Sequence, residues 1–577
     1  MAYRRASRDG SVEPDSPPPV ATLADVLNVV LHSAEITARQ RQGMASALRT
    51  IAKVSNRSLS TIPCDVKAVR RVLESIAPAR HGLSPGRWKN VKSLTLRSLD
   101  QAKVPRLPSR SGAPLSTEWE ALLSPRPCGV ALRPFARFCS RRGVEPDVVD
   151  GATFSRYERE LDEFSGKSRP REAFLDAVRA WNRAGKFSAS WPPFRAPVKH
   201  RRNDYALAWT AFPASLKLDV DAMVEASVSP DPLNPTSRKP IKPISAESRV
   251  GMLRALASAL VHQGCDRAKL DSIRALLEVD HAKLALQFIY ERRGKKKSAH
   301  IHQAAKLLCT LAQHWVGVQR EHLEQLKAIR KNLDPGRHGM TDKNRSTLRV
   351  FQDDRLVDRF LSLPERIRQR YRGKLRDLKV SDAVELQISL AIELLTVSPV
   401  RCKNLMSITL DENLIFQGSG RARRVTLHFP QTDVKNDVVI EFELPATTVD
   451  LLDSYLKHVR PRLERVPSRY LFPGEGETHK GGSLLSKQIA DMVEREVGVR
   501  LTAHQFRHLA GFIYLKANPG GHEVVRQLLG HKSIETTIRF YAGMEAADAI
   551  RHYDDHVAKR RARLIGPNRA TARKTDD

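Results

Sequence analysis

The chain of 577 residues carries 97 Lys and Arg against 64 Asp and Glu, a formal net charge of +33, and 41% of its residues are hydrophobic. This composition allows sizeable cores in roughly three to five domains, and it favours nucleic acid over an acidic membrane surface as the partner, because phosphate neutralisation rewards a basic surface. The six scattered cysteines form no CxxC pair or zinc-type Cys/His cluster, so they indicate buried thiols in a reducing compartment and not a disulfide framework or a zinc site. No apolar run approaches the ~20 residues that span a bilayer, so no membrane span is expected.

The amino-terminal residues 1–19 are polar and end in a proline cluster. They contain no apolar stretch of the kind that a secretory signal requires. We therefore expect a disordered tail on a soluble protein that stays in the cytoplasm, associated with the nucleoid, where the cysteines remain reduced.

Proline-rich segments then divide the chain, because proline blocks helix continuation and stiffens a linker. They lie at 104–114, 191–197 and 229–243. Between them, apolar residues recur at three- and four-residue spacing, which predicts helices. We expect helical domains at 20–105, 116–228 and 242–340. Their shared outline suggests a threefold repeat of one small helical domain, although generic helical bundles would give the same pattern.

The pattern changes near residue 345, where strands join the helices. Apolar and polar residues alternate in 425–429 and 438–444, which is typical of half-buried strands, and 430–437 connects them as a β-hairpin. Helices are predicted before it at Ala383 to Leu395, and after it at about 447–463, 484–497, 503–517 and 522–530. The expected fold class is mainly α with a small β-hairpin or sheet, in a multidomain chain whose mixed α/β domain spans 345–560 and precedes a basic tail at 561–577.

The start of the 503–517 helix is suited to binding an anion. Thr502 is a good N-cap, so His504 and Arg507 share one face of the first turn. The helix dipole and the free N–H groups of that turn favour an anion. A planar guanidinium also binds phosphate oxygens in bidentate fashion and keeps its charge. The alternative is a capped helix with a solvated His and Arg.

A second signal follows. Gly530 is predicted to end the preceding helix as a C-cap, so His531 begins the next segment, and Tyr541 lies ten residues later on a segment whose Ile538 should pack inward. Taken alone, His531 is a loop histidine and Tyr541 a core or interface tyrosine. Together with Arg507 they offer a nucleophile and fixed positive donors, which breaking a phosphodiester requires along with an acid.

The joint pattern resembles the tyrosine recombinase, or phage integrase, family. That family carries an early Arg, a Lys on a β-hairpin turn, a His-x-x-Arg box, and Leu-Gly-His ahead of a nucleophilic Tyr. The positions that match, in the same order, are Arg401, Lys435, His504, Arg507, His531 and Tyr541. The resemblance covers about residues 345–577. It is weaker over 242–340, which looks like the family's helical core-binding domain, a clamp that closes around DNA, and it says little about 1–235.

The resemblance implies a DNA recombinase or integrase of a mobile genetic element, with 345–560 as the catalytic domain. Tyr541 would attack the scissile phosphate and form a 3′-phosphotyrosyl bond. Arg401 and Arg507 would clamp the non-bridging oxygens, and Lys435 would protonate the leaving 5′ oxygen.

In the same scheme His504 would accept the tyrosine proton or donate to the phosphate, and His531 would hold a phosphate oxygen. The phosphotyrosine stores the bond energy, so no ATP, cofactor or metal is required. The implied partner is double-stranded DNA, bound by a homo-tetramer on two duplexes, with accessory recombination proteins as further candidates and no membrane.

The sequence departs from the family pattern at two places. Asn404 stands where the family usually has an acidic residue, three places after the early Arg, and it brings no charge to the neighbouring cations. The interval from His531 to Tyr541 is one residue longer than is common. Tyr514 and Tyr553 are the poorer alternatives as nucleophile.

The hairpin lysine has competitors too, because Arg423 and Arg424 lie close to Lys435 in the sequence. Two other functions also stay open. One is a DNA-binding accessory factor that keeps the fold and has lost turnover. The other is an enzyme like the type IB topoisomerases, which use a similar residue set to relax DNA.

Overall fold

The computed structural model describes residues 20–107, 114–123, 129–187, 191–197, 205–231, 233, 239–336, 339–431, 434, 439–541 and 546–565. The chain divides into two compact units, one formed by 1–197 with 338–577 and the other by 198–337. The tail expected at 1–19, residue Lys435 and most of the basic tail expected at 561–577 lie outside the described residues. Among the helices described, none combines the length and apolar character that crossing a membrane requires.

The first helical bundle lies at the start of the larger unit. It consists of α1 (Leu23–His32), α2 (Ala38–Ser55), α3 (Val66–Ser75) and α4 (Pro85–Gln101). Thr22 begins α1 with a capping box, in which the Asp25 carboxylate accepts from the Thr22 backbone N–H at 2.8 Å. The apolar faces of the helices meet in a core that contains Leu48 and Val91, both fully buried.

The second bundle follows in the same unit. Its helices are α5 (Thr117–Leu123), α6 (Gly129–Ser140), α7 (Gly151–Phe164) and α8 (Pro170–Phe187). Its core is aromatic, with the rings of Phe135 and Phe154 stacked at 4.3 Å. Arg70 of the first bundle is 6% exposed, and it donates to the carbonyls of Asp162 and Ser165 at 2.7 Å each. These bonds fix the two bundles to each other.

The smaller unit is a third bundle. It contains α9 (Ala214–Val228), α10 (Pro243–His262), α11 (Ile273–Leu277), α12 (Val279–Arg292), α13 (Ala299–Leu311) and α14 (Arg320–Asn332). The sequence had assigned α9 to the domain expected at 116–228, but its Leu216, Val220 and Met223 lie in the third core. The proline-rich segment 229–243 therefore separates helices of one bundle. Proline marks where a helix stops, and it does not determine which core the helix joins.

The rest of the larger unit forms one large core. Its helices before the sheet are α15 (Asp342–Arg349), α16 (Asp354–Leu361), α17 (Leu363–Arg370), α18 (Val380–Val397) and α19 (Cys402–Met406). Those after it are α20 (Ala446–Ser454), α21 (Arg460–Leu463), α22 (Gly482–Val497), α23 (Ala503–Ala517), α24 (His522–Leu529), α25 (Ile534–Tyr541) and α26 (Ala546–Ile565). α18 is central, because Leu390, Ile392 and Leu394 among its residues are fully buried.

The sheet is antiparallel in the order β1-β2-β3, formed by β1 (Leu414–Gln417), β2 (Arg424–Phe429) and β3 (Ile440–Glu443). Phe429 lies opposite Ile440, and Val425, Leu427 and Phe429 are buried, as the alternation predicted. The sequence did not predict β1. Of its residues only Leu414 is buried, so no alternation marks it as a strand.

Candidate active site

Arg401 lies at the junction between the central helix α18 and the short helix α19. It is the N-cap residue of α19, with an extended backbone, and its side chain is half-buried. Its Nη1 atom is buried, and no described residue accepts a hydrogen bond from it. Desolvation lowers the pKa of Arg401. A buried donor without an acceptor is costly, so this guanidinium is well suited to an incoming anion.

Arg507 projects from α23 and is 5% exposed. Its guanidinium donates to the carbonyls of Pro399 and Leu529. The side chain thereby connects the segment just before Arg401 to the end of α24. Burial, followed by the charge of Arg401, lowers the pKa of Arg507 to about 10, while Tyr541 acts to raise it. Arg507 is therefore still a cation at neutral pH.

The two arginines form a positive pocket. Each is close enough to lower the pKa of neighbouring cations, and in the part of the chain that the structure describes no carboxylate hydrogen-bonds to either. The first turn of α23 adds to this field, since the helix begins at Ala503 after the Thr502 N-cap, as predicted. The Thr502 N–H donates to Gln505 Oε1 at 2.9 Å. The arrangement favours an anion with several oxygens.

The two predicted histidines lie beside this pocket. His504 is exposed one turn before Arg507, and desolvation, then Arg507 and Arg401, lower its pKa. His531 follows Gly530, whose φ of 56° confirms the predicted C-cap. Burial, and then the nearby arginine charges, lower the pKa of His531 to about 4, so its ring is neutral at neutral pH.

The orientation of the His531 ring is fixed by a neighbouring hydroxyl. Its Nδ1 lies 2.9 Å from Oγ1 of Thr537, which is fully buried. This contact leaves Nε2 as the free nitrogen of a neutral imidazole that borders the arginine pair.

His508 belongs to the same cluster, and the sequence reasoning missed it. Its ring meets His504 edge-on at 5.2 Å and stacks on Phe540 at 5.4 Å, and Phe540 in turn lies 6.3 Å from His531. Burial, followed by the neighbouring His504, Arg507 and His531, lowers the pKa of His508 to about 4. Its position four residues after His504, on the same helical face, was the available signal.

Tyr541 is buried, with an exposed fraction of 1%. Its hydroxyl donates to the carbonyl of Arg507 at 3.3 Å, and burial raises the pKa of the phenol. The ring lies against Gly511, where an added Cβ would be 2.3 Å from the Tyr541 oxygen. The prediction that Ile538 packs inward is wrong, because it is 43% exposed while Thr537 and Tyr541 face the core.

The hairpin lysine Lys435 is outside the described residues, but its surroundings are partly described. The turn-side end of β3 is near the His531 box, since a Cβ built on Gly530 would lie 3.8 Å from Ile440 Cδ1. Arg423 pairs with Asp453 at 3.0 Å, and Arg424 faces Glu443 at 3.7 Å. Both arginines are at the end of β2 that is farther from the turn.

The remaining candidate residues occupy other environments. Tyr514 is partly buried on α23, where its ring packs close to Gly521. Tyr553 is 67% exposed on α26. Asn404 is 4% exposed within α19. Of the described tyrosines among these candidates, Tyr541 is the one whose hydroxyl contacts Arg507.

Residues 375–547 match the model of the phage integrase family. The chain is 30% identical over 153 residues to the tyrosine recombinase XerD of Listeria monocytogenes serotype 4b (strain F2365), covering 25% of this chain and 46% of that protein. It is 29% identical over 153 residues, with the same coverage, to XerD of Listeria innocua serovar 6a. The chain therefore spans about half the length of the curated relatives it matches.

Several solved structures are also similar. One is XerA recombinase, with 15% sequence identity and a TM-score of 0.24, covering 55% of this chain and 92% of that one. Another is XerH site-specific recombinase bound to its difH substrate, with 12% identity and a TM-score of 0.30, covering 59% of this chain and 96% of that one. A third is the Tn1549 transposon integrase in complex with transposon right end DNA, with 17% identity and a TM-score of 0.32, covering 56% of this chain and 96% of that one. The carboxyl-terminal segment at 375–547 thus matches the phage integrase family, and 153 residues of the chain are similar to tyrosine recombinases.

Proposed function

We propose that this protein is a site-specific DNA recombinase or integrase that cleaves and rejoins DNA strands through Tyr541, in the service of a mobile genetic element. The observation that carries the proposal is the pair Arg401 and Arg507. Arg401 is close enough for its charge to lower the pKa of Arg507, neither guanidinium has a carboxylate partner among the described residues, and a buried donor of Arg401 has no acceptor. The phenol of Tyr541 reaches the backbone of the second arginine.

The chemistry is an exchange of oxygens on one phosphorus atom. Tyr541 Oη forms a bond to phosphorus, and the bond from phosphorus to the 5′ oxygen breaks. The phenolic proton passes to His504, and Lys435 gives a proton to the leaving oxygen. Arg401 and Arg507 stabilise the charge that develops on the non-bridging oxygens. A hydroxyl from a second duplex reverses these steps and joins new strands.

Lys435 is proposed as the acid because its competitors are engaged elsewhere. Arg423 is paired with Asp453 and lies 4.9 Å over the Phe416 ring, and Arg424 faces Glu443. Ile440, the first described residue of β3 after the 430–437 segment, lies next to Gly530, which directly precedes His531. His531, with its Nδ1 engaged by Thr537, has Nε2 free to donate to a phosphate oxygen.

Cleavage requires Tyr541 to leave its buried position. The helix that carries it, α25, already exposes Ile534 and Ile538 at 40% and 43%, so its movement would uncover chiefly the Tyr541 ring and the Phe540 face that stacks on His508. The left-handed Gly530 offers a hinge before it, since glycine adopts such backbone angles without strain. Movement of α25 about this point would bring the phenol to a phosphate held by the arginines.

DNA is the proposed partner. The net charge of +33 suits a polyanion, and the XerH and Tn1549 integrase structures named above are complexes with DNA. The third bundle, at 198–337, is proposed as the core-binding domain that closes around the duplex. Exchange of four strands implies a tetramer on two duplexes, to which accessory recombination proteins are candidate additions.

The buried phenol also favours a second function, a DNA-binding accessory factor without turnover. Nicked duplexes tiled across the DNA that flanks the gene separate the two, because a nick beside the cleaved bond traps the covalent intermediate. The recombinase predicts a detergent-stable adduct with the parent protein and none with Tyr541→Phe, which still binds DNA. Binding to the duplexes with no adduct on any of them would identify the accessory factor. Relaxation of plasmids that lack a specific site would identify a topoisomerase-like enzyme.

A further inference from the structure

The first helical bundle touches the catalytic part of the chain through the turn at Pro78–His81. Two arginines make reciprocal contacts with backbone carbonyls there. Arg80 Nε of the bundle donates to the Gly498 carbonyl at 2.9 Å, and the Arg359 guanidinium of α16 donates to the Ala79 carbonyl. Ala79 is 4% exposed, so this residue of the turn is covered in this arrangement, while Arg80 and His81 remain partly accessible.

Gly498 is fitted to this contact. It ends α22 with a φ of 84°, a backbone region that glycine adopts freely and other residues rarely enter. An added Cβ would lie 2.9 Å from Arg80 Cγ and 3.5 Å from the Ala77 Cβ. The backbone of the bundle and the end of α22 thus approach as closely as a residue without a side chain allows.

The contacted segment leads directly into the helix with His504 and Arg507. Only residues 498–502 separate α22 from α23, and within them Val499 and Leu501 are 4% and 0% exposed. On another side of the same helix start, Gln505 donates to Asn344 Oδ1 at 3.2 Å. The start of α23 is therefore fixed by α15 within the catalytic part, and it lies five residues after Gly498, which the first bundle contacts.

The same end of α22 carries an ionic network around one buried carboxylate. The Glu496 side chain is 4% exposed and accepts from Arg370 at 3.1 Å and Arg495 at 2.9 Å. Arg366 donates to the carbonyl of Arg359 at 2.9 Å, and Arg359 is the residue whose guanidinium donates to Ala79. The contact therefore joins the first bundle to a stiff part of the catalytic core, where a displacement is transmitted instead of absorbed.

We propose that the first helical bundle is a positioning module for the catalytic domain, and that Arg80 is its positioning residue. Docking of the Pro78–His81 turn sets the connection between α22 and α23, and through it the placement of His504 and Arg507 against the scissile phosphate. The inference rests on the proposed recombinase function. It gives a role to the amino-terminal extension, about which the family resemblance says little.

The test compares Arg80→Ala with Arg49→Ala in the full-length protein. Arg49 is an exposed arginine of the same bundle, so its loss removes the same charge without touching the contact. The first readout is hydrogen exchange of the backbone amides at 499–508, which needs no activity. Arg80→Ala should accelerate this exchange, Arg80→Lys should restore part of the protection, and Arg49→Ala should match the parent protein.

The second readout is adduct formation on the nicked duplex that the parent protein cleaves. Arg80→Ala should slow the rate constant at saturating DNA by about tenfold or more, since small misplacements of reacting groups are costly, while DNA affinity stays within about twofold of the parent. Arg359→Ala removes the reciprocal hydrogen bond to Ala79 and should have the same effects on exchange and on the rate constant. Agreement between the two variants would show that the effects do not come from a folding defect in one of them.

Parent-like exchange and parent-like rates in both Arg80→Ala and Arg359→Ala would overturn the inference. A loss of DNA affinity with an unchanged rate constant would do so as well, because it would make the bundle a DNA-binding element. If the parent protein forms no adduct, the proposed function fails, and the exchange measurement alone then decides whether the bundle orders the start of α23.

Discussion

At the scale of single residues, Arg401 and Arg507 carry the same guanidinium group but differ in how far the fold depends on its hydrogen bonds. Arg507 supports the fold, because its guanidinium satisfies the buried carbonyls of Pro399 and Leu529. Arg401 has a buried donor with no acceptor among the described residues. The function proposed for both is the same, but only one of them should also be needed for stability.

We therefore predict different outcomes for two equivalent substitutions. Arg401→Gln should slow adduct formation by about 10²–10³-fold, the usual effect of losing one donor to a developing negative charge, and leave the melting temperature unchanged. Arg507→Gln should lower both the rate of adduct formation and the melting temperature, because it leaves two buried carbonyls without a hydrogen-bond donor. Adduct assays and thermal unfolding on the same preparations check this. A clear drop in the melting temperature of Arg401→Gln would show that its side chain has a structural role.

Gly511 is the residue that makes room for the Tyr541 ring. Gly511→Ala places a Cβ 2.3 Å from the Tyr541 oxygen, so the ring must shift. We expect a loss of about 1–3 kcal/mol from overpacking, reduced by the better helix propensity of alanine. Urea denaturation measures the free energy of unfolding. If the clash with the ring is the cause, Gly511→Ala should lower this free energy in the parent protein but not in the Tyr541→Ala variant.

The matched control is Gly251→Ala in α10, where an added Cβ meets no atom within 4 Å. That substitution should be neutral or stabilise by up to about 1 kcal/mol. Equal effects of the two substitutions would contradict the packing of Tyr541 described here.

At the scale of elements, α23 and α25 are joined by aromatic rings. Phe540 lies between His508 and His531, and both histidines have a pKa lowered to about 4 from the ordinary value of 6.5. Between these pH values the unfolded chain binds protons that the folded chain does not. Their contribution to stability is therefore complete above pH 6.5 and is lost as the pH falls toward 4.

We predict that His508→Phe makes the part of the chain that carries the candidate active site less sensitive to acid. The substitution keeps a ring against Phe540 and removes one group that must be protonated on unfolding. The free energy lost between pH 6.5 and 4 should shrink by on the order of 1–3 kcal/mol. Denaturation curves across this range measure it. An unchanged slope would mean that His508 titrates alike in both states.

The elements also indicate what sequence reasoning can reach. The i, i+3 spacing of His504 and Arg507, the Thr502 cap and the Gly530 C-cap are local signals, and the structure confirms each of these local features. β1 has one buried residue in its span, so it leaves no periodic pattern. The burial of Tyr541 depends on Gly511, which is 30 positions away in the chain. Contacts of this kind are set by packing and leave no local pattern.

At the scale of the whole molecule, charge and connectivity matter most. The first and second bundles belong to the same compact unit as the part that carries the candidate active site, and the third bundle forms a unit by itself. Proline clusters located chain connections, yet α9 joined the third core across one of them. Long-range docking, as between Arg80 and Gly498, is invisible in a single sequence because it depends on surfaces that meet only after folding.

The net charge of +33 predicts a steep salt dependence of DNA binding. If the protein neutralises on the order of six or more phosphates, the logarithm of affinity should fall with the logarithm of salt concentration with a slope of about −5 or steeper. Titrating a duplex of unrelated sequence at several salt concentrations measures the slope. A slope near zero would contradict DNA binding driven by this charge.

The most direct test of the central claim is to locate the DNA attachment in the trapped adduct by peptide mass spectrometry after nuclease digestion. The account predicts a nucleotide joined through its 3′ phosphate to Tyr541, in a protein whose Tyr541→Phe variant binds the same nicked duplex and forms no adduct. Attachment at Tyr514 or Tyr553, or an adduct that persists in the Tyr541→Phe variant, would contradict it.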